Sequence, residues 1–500
     1  RSVFSYIKPC SGFLGMSCSN REPTMANQHQ TSSHVVIFPS PGMGHLIPLV
    51  ELAKLLVSHH DLQVTFIVPS LSPTSSAQKA IFHSLPPSVA IVYLPQANMT
   101  DSFLQNVKVE TLVARTIAKS LTPLREELKR ITASGSKLVA VVADLFSVDC
   151  FELVKELGVA PYLFFASNAM TLSTFLHMPK LDKTVECEYK ELDHPIEVPG
   201  CMPIWGFELF EPALDRKNEA YTRILRISKM YTLASGIMVN TFMELENGPI
   251  KALQDPRSRY PPLFAVGPIV KTEDEEEDGK GCVDWLSGQP KGSVLLVSFG
   301  SAGTLTSDQI IELAMGLEMS EQRFLWVVRR PSDIGPDFAY LREENVNEPI
   351  HYLPNGFVAR TKNRGLTVDS WVFQTKILSH GSIGGFVSHC GWNSTLESLV
   401  NGVPMIAWPL HAEQKMNAVL LCEGVGVALR PRGRLETGLI GRHEIAGVVR
   451  NLMEGEGGKV VRQRASCLKS AAGEAVGLGG SVSRSLAQLV SQWKNNALSE

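Results

Sequence analysis

His389, Asn393 and Ser394 stand in the run Ser388-His389-Cys390-Gly391-Trp392-Asn393-Ser394, between an apolar stretch at 384–387 and a helix-like pattern carrying Leu396, Leu399 and Val400. Small and polar residues between a strand and a helix put backbone N–H groups, with roughly half a positive charge from the helix dipole, where an anion can sit. Gly391 lets the backbone come close, and the three side chains add donors. Trp371 offers a flat face on which a base can stack, a contact worth about 1–3 kcal/mol. Glu397 can accept from ribose hydroxyls, and Glu413 with Gln414 can hold a polyol. An anion cradle, a stacking face and two polyol clamps describe a nucleotide-sugar site.

A second chemical pair lies near the other end of the chain. His45 follows the apolar run 34–38 (HVVIF) and the turn Pro39-Ser40-Pro41-Gly42-Met43-Gly44. Asp144 follows another apolar run, 137–142 (KLVAVV). Both stand at the C-terminal ends of strands, where open α/β sheets place ligands. A histidine so placed can serve as a general base, although local sequence by itself favours a helix-start imidazole satisfied by backbone. Asp144 reads just as well as a helix cap or turn residue, and Asp149 downstream could fill that role too.

The elements that must carry these groups can be read from periodicity. A strand at 34–38, a turn, a helix through Leu46, Leu49, Leu52, Ala53 and Leu56, and a strand at 62–68 form a βαβ unit of a parallel sheet. The turn is not GxGxxG, and no GxxxxGK[ST] occurs, so dinucleotide and P-loop readings of this end are weak. Strands at 236–241 and 263–268 close a first domain. Residues 159–210, rich in Phe, Met, Leu and Pro, read as core plus loops. The charge run 271–281 (KTEDEEEDGKG) cannot pack and reads as a solvated linker. A second α/β unit then opens: strand 293–299, the glycine turn 300–303 holding Ser301, helix 307–317, strand 324–328, and strand 366–369 feeding Trp371. Residues 331–352 form a long polar insertion. Strand 403–408 and helices at 415–421, 443–454, 465–475 and 481–493 follow. No repeat of 20–50 residues is visible.

A chain of 500 residues suggests two domains. The hydrophobic fraction of 44% and mean hydropathy of +0.03 describe a globular protein with ample core. A net charge of −3 points to neither nucleic acid nor an anionic membrane surface. Nine scattered cysteines without a CxxC pair fit free thiols and a cytoplasmic location better than a disulfide framework. No apolar run approaches the ~18–20 residues of a membrane span. Residues 1–24 read as extra upstream sequence before Met25 rather than as a plastid transit peptide.

The segment 371–414 resembles the C-terminal signature box of plant family 1 UDP-glycosyltransferases, which starts on a Trp and ends on a Gln or His. HCGWNS, the following Glu397 and the closing PL.AEQ carry the likeness. The resemblance extends from about residue 34 to the C-terminus, nearest in flavour to enzymes that glucosylate small phenols and monolignols. It implies a GT-B architecture, two Rossmann-like α/β domains facing across a cleft. On that pattern residues 30–270 bind the acceptor, 271–284 link, 285–475 bind the UDP-sugar, and 480–500 form a helix returning to the first domain. PGMGHLIPL matches the family's catalytic-histidine turn, so the resemblance makes His45 the base and Asp144 its partner, with Asp149 as second choice. It implies donor contacts from Ser301, Trp371, Val372, Gln374, His389, Trp392, Asn393, Ser394, Glu397, Glu413 and Gln414.

The implied reaction is inverting transfer of glucose from UDP-glucose to a hydroxyl of a small phenolic or phenylpropanoid acceptor, by a monomer without cofactor or metal. Gln414 resembles members that prefer UDP-glucose. Two departures stand out. Val372-Phe373 replace the usual Ala-Pro, removing a fixed φ beside Trp371, and His411 replaces an aromatic residue. Galactose, xylose or rhamnose donors are the alternative within the same chemistry. A nicotinamide-dependent oxidoreductase lacks its glycine fingerprint here, and a catalytically dead nucleotide-sugar binder would not require His45, Asp144 and Gln414 together.

Overall fold

The computed structural model describes residues 33–70, 76–96, 108–271, 281–301, 303–333, 349–369, 372–432 and 438–496. Trp371, the leader 1–24, and most of the acidic run and the polar insertion lie outside them. In the first sheet, β1 (Ser33–Phe38), β2 (Gln63–Ser70), β3 (Val89–Gln96), β4 (Lys137–Asp144), β5 (Pro161–Phe165), β6 (Gly236–Val239) and β7 (Leu263–Ala265) are ordered β3-β2-β1-β4-β5-β6-β7. In the second, β8 (Val294–Ser298), β9 (Arg323–Val327), β10 (Gly365–Val368), β11 (Ile383–Ser388), β12 (Met405–Ala407) and β13 (Ala428–Leu429) are ordered β10-β9-β8-β11-β12-β13. Every strand pairing within these two sheets is parallel. The central strands are buried on both faces, which is why they are written as unbroken apolar runs rather than alternating ones.

Strand order reverses once in each sheet, between β1 and β4 and between β8 and β11. Connections leave in opposite directions at such a point and open a crevice beyond the strand ends. The register Phe38↔Ala143 brings the ends of β1 and β4 level, and Ser298↔Ser388 does the same for β8 and β11. The helices Met43–His60, Ser307–Ser320 and Trp392–Asn401 therefore start at the two crevices.

Several elements differ from expectation. Part of the segment read as core and loops is the helix Ala169–Thr184, buried nearly all round and so lacking the polar stripe that marks a helical period. The sequence pattern also gave no element at the helix Val109–Ala133. The helix expected at 465–475 runs Glu456–Val476, and that at 415–421 is Gln414–Val419 followed by a π turn, Leu420–Gly424. Residues 403–408 supply only a three-residue strand, and the helix Cys282–Ser287 begins inside the expected linker. The final helix, Ser481–Asn496, buries Leu486, Leu489, Val490 and Trp493 against the first sheet's Val35, Ile37 and Tyr162. A single apolar cluster runs from Val36 and Phe38 of the first sheet into Phe386, Trp392 and Met405 of the second unit.

Candidate active site

Because β1 and β4 are neighbours, residues 99 positions apart in the chain meet at their ends. His45 Nδ1 lies 3.0 Å from Asp144 Oδ2, with the ring N–H off the line of a straight hydrogen bond. Asp144 is fully buried at the end of β4. Its Oδ1 accepts from Phe146 N at 3.1 Å, Ser147 N at 3.2 Å and Ser147 Oγ at 3.0 Å, and Ser40 Oγ donates to Oδ2 at 2.5 Å. Burial pushes the Asp144 carboxyl up, but the His45 charge and the Ser40 and Ser147 hydrogen bonds outweigh it and hold it below its ordinary value. Burial likewise works to lower His45, yet the Asp144 contact and charge, with the charge of Glu413, leave the imidazole above its ordinary value. Asp149 is taken elsewhere: it pairs with Arg223 and, at 3.3 Å, Arg226.

At the second crevice, Ser301 follows β8 and His389 follows β11. The His389 ring fills the space two glycines leave open. A Cβ on Gly300 would meet its Cε1 at 2.6 Å, and one on Gly391 its Nε2 at 2.3 Å. Burial and the nearby His411 push His389 down to about 3, so it meets any ligand as a neutral imidazole. Its buried Nδ1 has no hydrogen-bond partner, a group that a bound anion or water would satisfy. Gln374 Nε2 donates to Ser394 Oγ at 2.8 Å and to Glu397 Oε2 at 2.6 Å. Burial drives Glu397 up to about 7 against the Gln374 bond and the Lys271 charge. Val372 is buried, and Lys271 Nζ lies 5.5 Å from the Phe373 ring centroid.

The two crevices face each other. Asn393 Nδ2 donates to Gly44 O at 2.9 Å, next to His45, and Trp392 Nε1 donates to Asn240 O at 2.7 Å beyond β6. Trp392 thus spends its polar atom across the seam. Glu413 Oε1 accepts from Ser167 Oγ at 3.1 Å and from Asn417 Nδ2 at 3.3 Å. Gln414 is turned into its own loop, where Oε1 accepts from Leu410 N at 2.9 Å and His411 N at 3.1 Å. That fixes the amide, so its Nε2 faces His411 Nδ1 at 3.3 Å. Among the described residues no cluster of three His, Cys, Asp or Glu side chains could hold a metal ion, and no helix is long and apolar enough to cross a membrane.

Residues 233–455 match the family described as UDP-glucoronosyl and UDP-glucosyl transferase. A hydroquinone glucosyltransferase of Rauvolfia serpentina is 52% identical over 463 residues, covering 92% of this chain and 98% of the relative. The chain belongs to this UDP-glycosyltransferase family. Among solved structures, Phytolacca americana UGT2 complexed with UDP-2fluoro-glucose and pterostilbene is 45% identical, with a TM-score of 0.85 over 93% of this chain and all of that one (100%). A UDP-glucosyltransferase of Polygonum tinctorium capable of glucosylating indoxyl, in complex with 3,4-dichloroaniline, is 45% identical with a TM-score of 0.86, over 93% and 99% of the two chains. Two GT-B domains and transferase chemistry follow for this UDP-glycosyltransferase.

Sequence reasoning missed Ser40 and Ser147, which hold the carboxylate that faces His45. A Ser between two prolines looks like any turn residue. The signal available was its place, on the rim between β1 and His45. Asn240, Ser167 and Glu211, the first unit's partners of Trp392, Glu413 and Ala412, carry no local signal, since each meets a residue more than 150 positions away.

Proposed function

We propose that this UDP-glycosyltransferase moves glucose from UDP-glucose to a hydroxyl of a small phenol, with inversion to a β-glucoside. The carrying observation is the His45–Asp144 pair at one crevice, set against the anion cradle of the other by the Asn393–Gly44 hydrogen bond. With Nδ1 turned to Asp144, Nε2 is the nitrogen left to take the acceptor proton, and Asp144 stabilises the imidazolium that forms. The freed oxygen attacks the anomeric carbon on the face opposite UDP. His389, Asn393, Ser394 and Ser301, with the N-terminus of Trp392–Asn401, are the groups we assign to the leaving diphosphate, an electrostatic role elsewhere given to a metal. Glu397 and Gln374 take the ribose, Glu413 and Gln414 the sugar, and Trp371 the base. The phenolic acceptor is supported by the likeness to the hydroquinone glucosyltransferase and by Phe146, whose ring lies 5.5 Å from that of His45.

The test is incubation with UDP-glucose and a panel of phenols, read by mass spectrometry, for the wild type and His45→Ala. Glucoside should form with the wild type, and His45→Ala should lose about 10²–10⁴ in rate while still binding UDP. Near-normal turnover by His45→Ala would remove the base assignment, and product only from another UDP-sugar would remove glucose.

A further inference from the structure

The loop proposed to take the sugar is bent at Ala412, whose φ of +53° is a left-handed conformation that L-residues seldom keep unaided. Both backbone polar groups of Ala412 are taken by one residue from the other side of the cleft. Glu211 N donates to Ala412 O at 3.0 Å, and Ala412 N donates to Glu211 Oε2 at 3.3 Å. The same acceptor-side segment touches the donor unit twice more. Lys415 Nζ donates to Phe207 O at 3.4 Å, and Arg430 Nη1 pairs with Glu208 at 2.6 Å. Of these three, the Glu211 contacts fall inside 411–414, where Ser167 also reaches Glu413. Ala412 lies between His411 and Glu413, so its φ decides where Glu413 and Gln414 face. If Ala412 relaxed to a right-handed conformation, the chain on either side would swing, and the Gln414 N bond to His411 O at 3.2 Å would break with it.

We propose that Glu211 is a positioning residue for the donor sugar: clamped on both sides of Ala412, it holds the turn that aims Glu413 and Gln414. The inference rests on the reading that 411–414 receives the sugar. It makes part of donor selectivity a property of the acceptor domain, exerted by a side chain that never touches the donor.

The experiment measures steady-state constants with UDP-glucose, UDP-galactose and UDP-xylose, and one phenol the wild type uses, alongside melting temperature. Glu211→Ala should raise KM for UDP-glucose about tenfold, as expected for a lost hydrogen bond to a charged group. It should also narrow the glucose-to-galactose ratio of kcat/KM and leave acceptor KM in place. Glu211→Gln keeps an accepting oxygen and should recover most of the loss. Adding Ala412→Gly to Glu211→Ala should also restore donor KM, because glycine holds a left-handed turn without help. Glu208→Gln, which loosens the same seam away from the loop, should leave donor constants unchanged. Wild-type donor constants in a folded Glu211→Ala, no rescue by Ala412→Gly, or an equal effect from Glu208→Gln would each overturn the proposal. Should Glu211→Ala fail to fold, the Glu211→Gln and double-variant comparisons decide it. No transfer from any UDP-sugar by the wild type would instead overturn the function proposed above, a result separable from all of these.

Discussion

Two acids at opposite crevices, Asp144 buried and Glu397 partly so, are shifted in opposite senses, and both shifts lead to measurable pH behaviour. Asp144 is held ionised below its ordinary value and lifts His45 above 6.5 against the pull of burial. A base must be unprotonated to act, so kcat/KM should rise with pH through a midpoint above 6.5. Asp144→Asn removes the charge but not the burial, so that midpoint should fall, while kcat drops by on the order of 10⁴, the scale of the same change in a Ser-His-Asp triad. A pH–rate profile in which the midpoint stays put would show that Asp144 does not govern the imidazole. Glu397 behaves the other way, being raised to about 7 by burial. Its ionised form is the better acceptor for ribose hydroxyls, so donor affinity should weaken as pH falls through 7, by at most about tenfold per unit. Titration calorimetry with UDP between pH 5.5 and 8.5, roughly the span around that value, should show the slope in the wild type and a flat response in Glu397→Gln. A pH-independent wild type would place the carboxyl outside the donor's reach.

At the scale of elements, the crevice between β8 and β11 depends on what is missing. Gly391 has φ −60° and ψ 138°, a conformation open to any residue, so its requirement is purely one of space. Gly391→Ala should push the His389 ring off its seat, costing about 1–3 kcal/mol of stability. UDP affinity should fall about tenfold with it, the cost of one lost hydrogen bond to a charged group. A melting curve and a UDP titration on the same variant check both, and an unaltered UDP affinity would mean the ring is not part of the anion cradle. Such crowding leaves no trace in sequence beyond the glycine itself. What the sequence did carry follows from the same geometry. Parallel strands buried on both faces are written as apolar runs, so β1, β4, β8 and β11 were legible, and with them the rim positions of His45, Asp144, Ser301 and His389. The helix Ala169–Thr184 was hidden because burial nearly all round erased its period. The contacts between the two units were invisible because they join residues such as Asn240 and Trp392, 152 positions apart, through a backbone carbonyl that has no sequence identity.

Taken whole, the molecule is two sheets joined by a seam and a returning helix, and the joint decides how it unfolds. Trp493 is fully buried against Tyr162, with ring centroids 5.3 Å apart and nearly perpendicular, and Lys494 Nζ donates to His60 O at 2.9 Å. Trp493→Ala should therefore cost about 3–5 kcal/mol, all of it drawn from the unit that does not carry the anion cradle. UDP, assigned above to the other crevice, adds at 100 times its Kd about 2.7 kcal/mol to whatever unfolds together with its site. The apolar cluster crossing the seam, with Trp392–Asn240, Asn168–Asn417 and Asn393–Gly44 spanning it, means the first sheet cannot melt without exposing the second. Calorimetry should then show one transition in Trp493→Ala, lowered from the wild type and partly restored by UDP. Two transitions, the lower one indifferent to UDP, would show instead that the units unfold separately and that the seam positions the site without stabilising it.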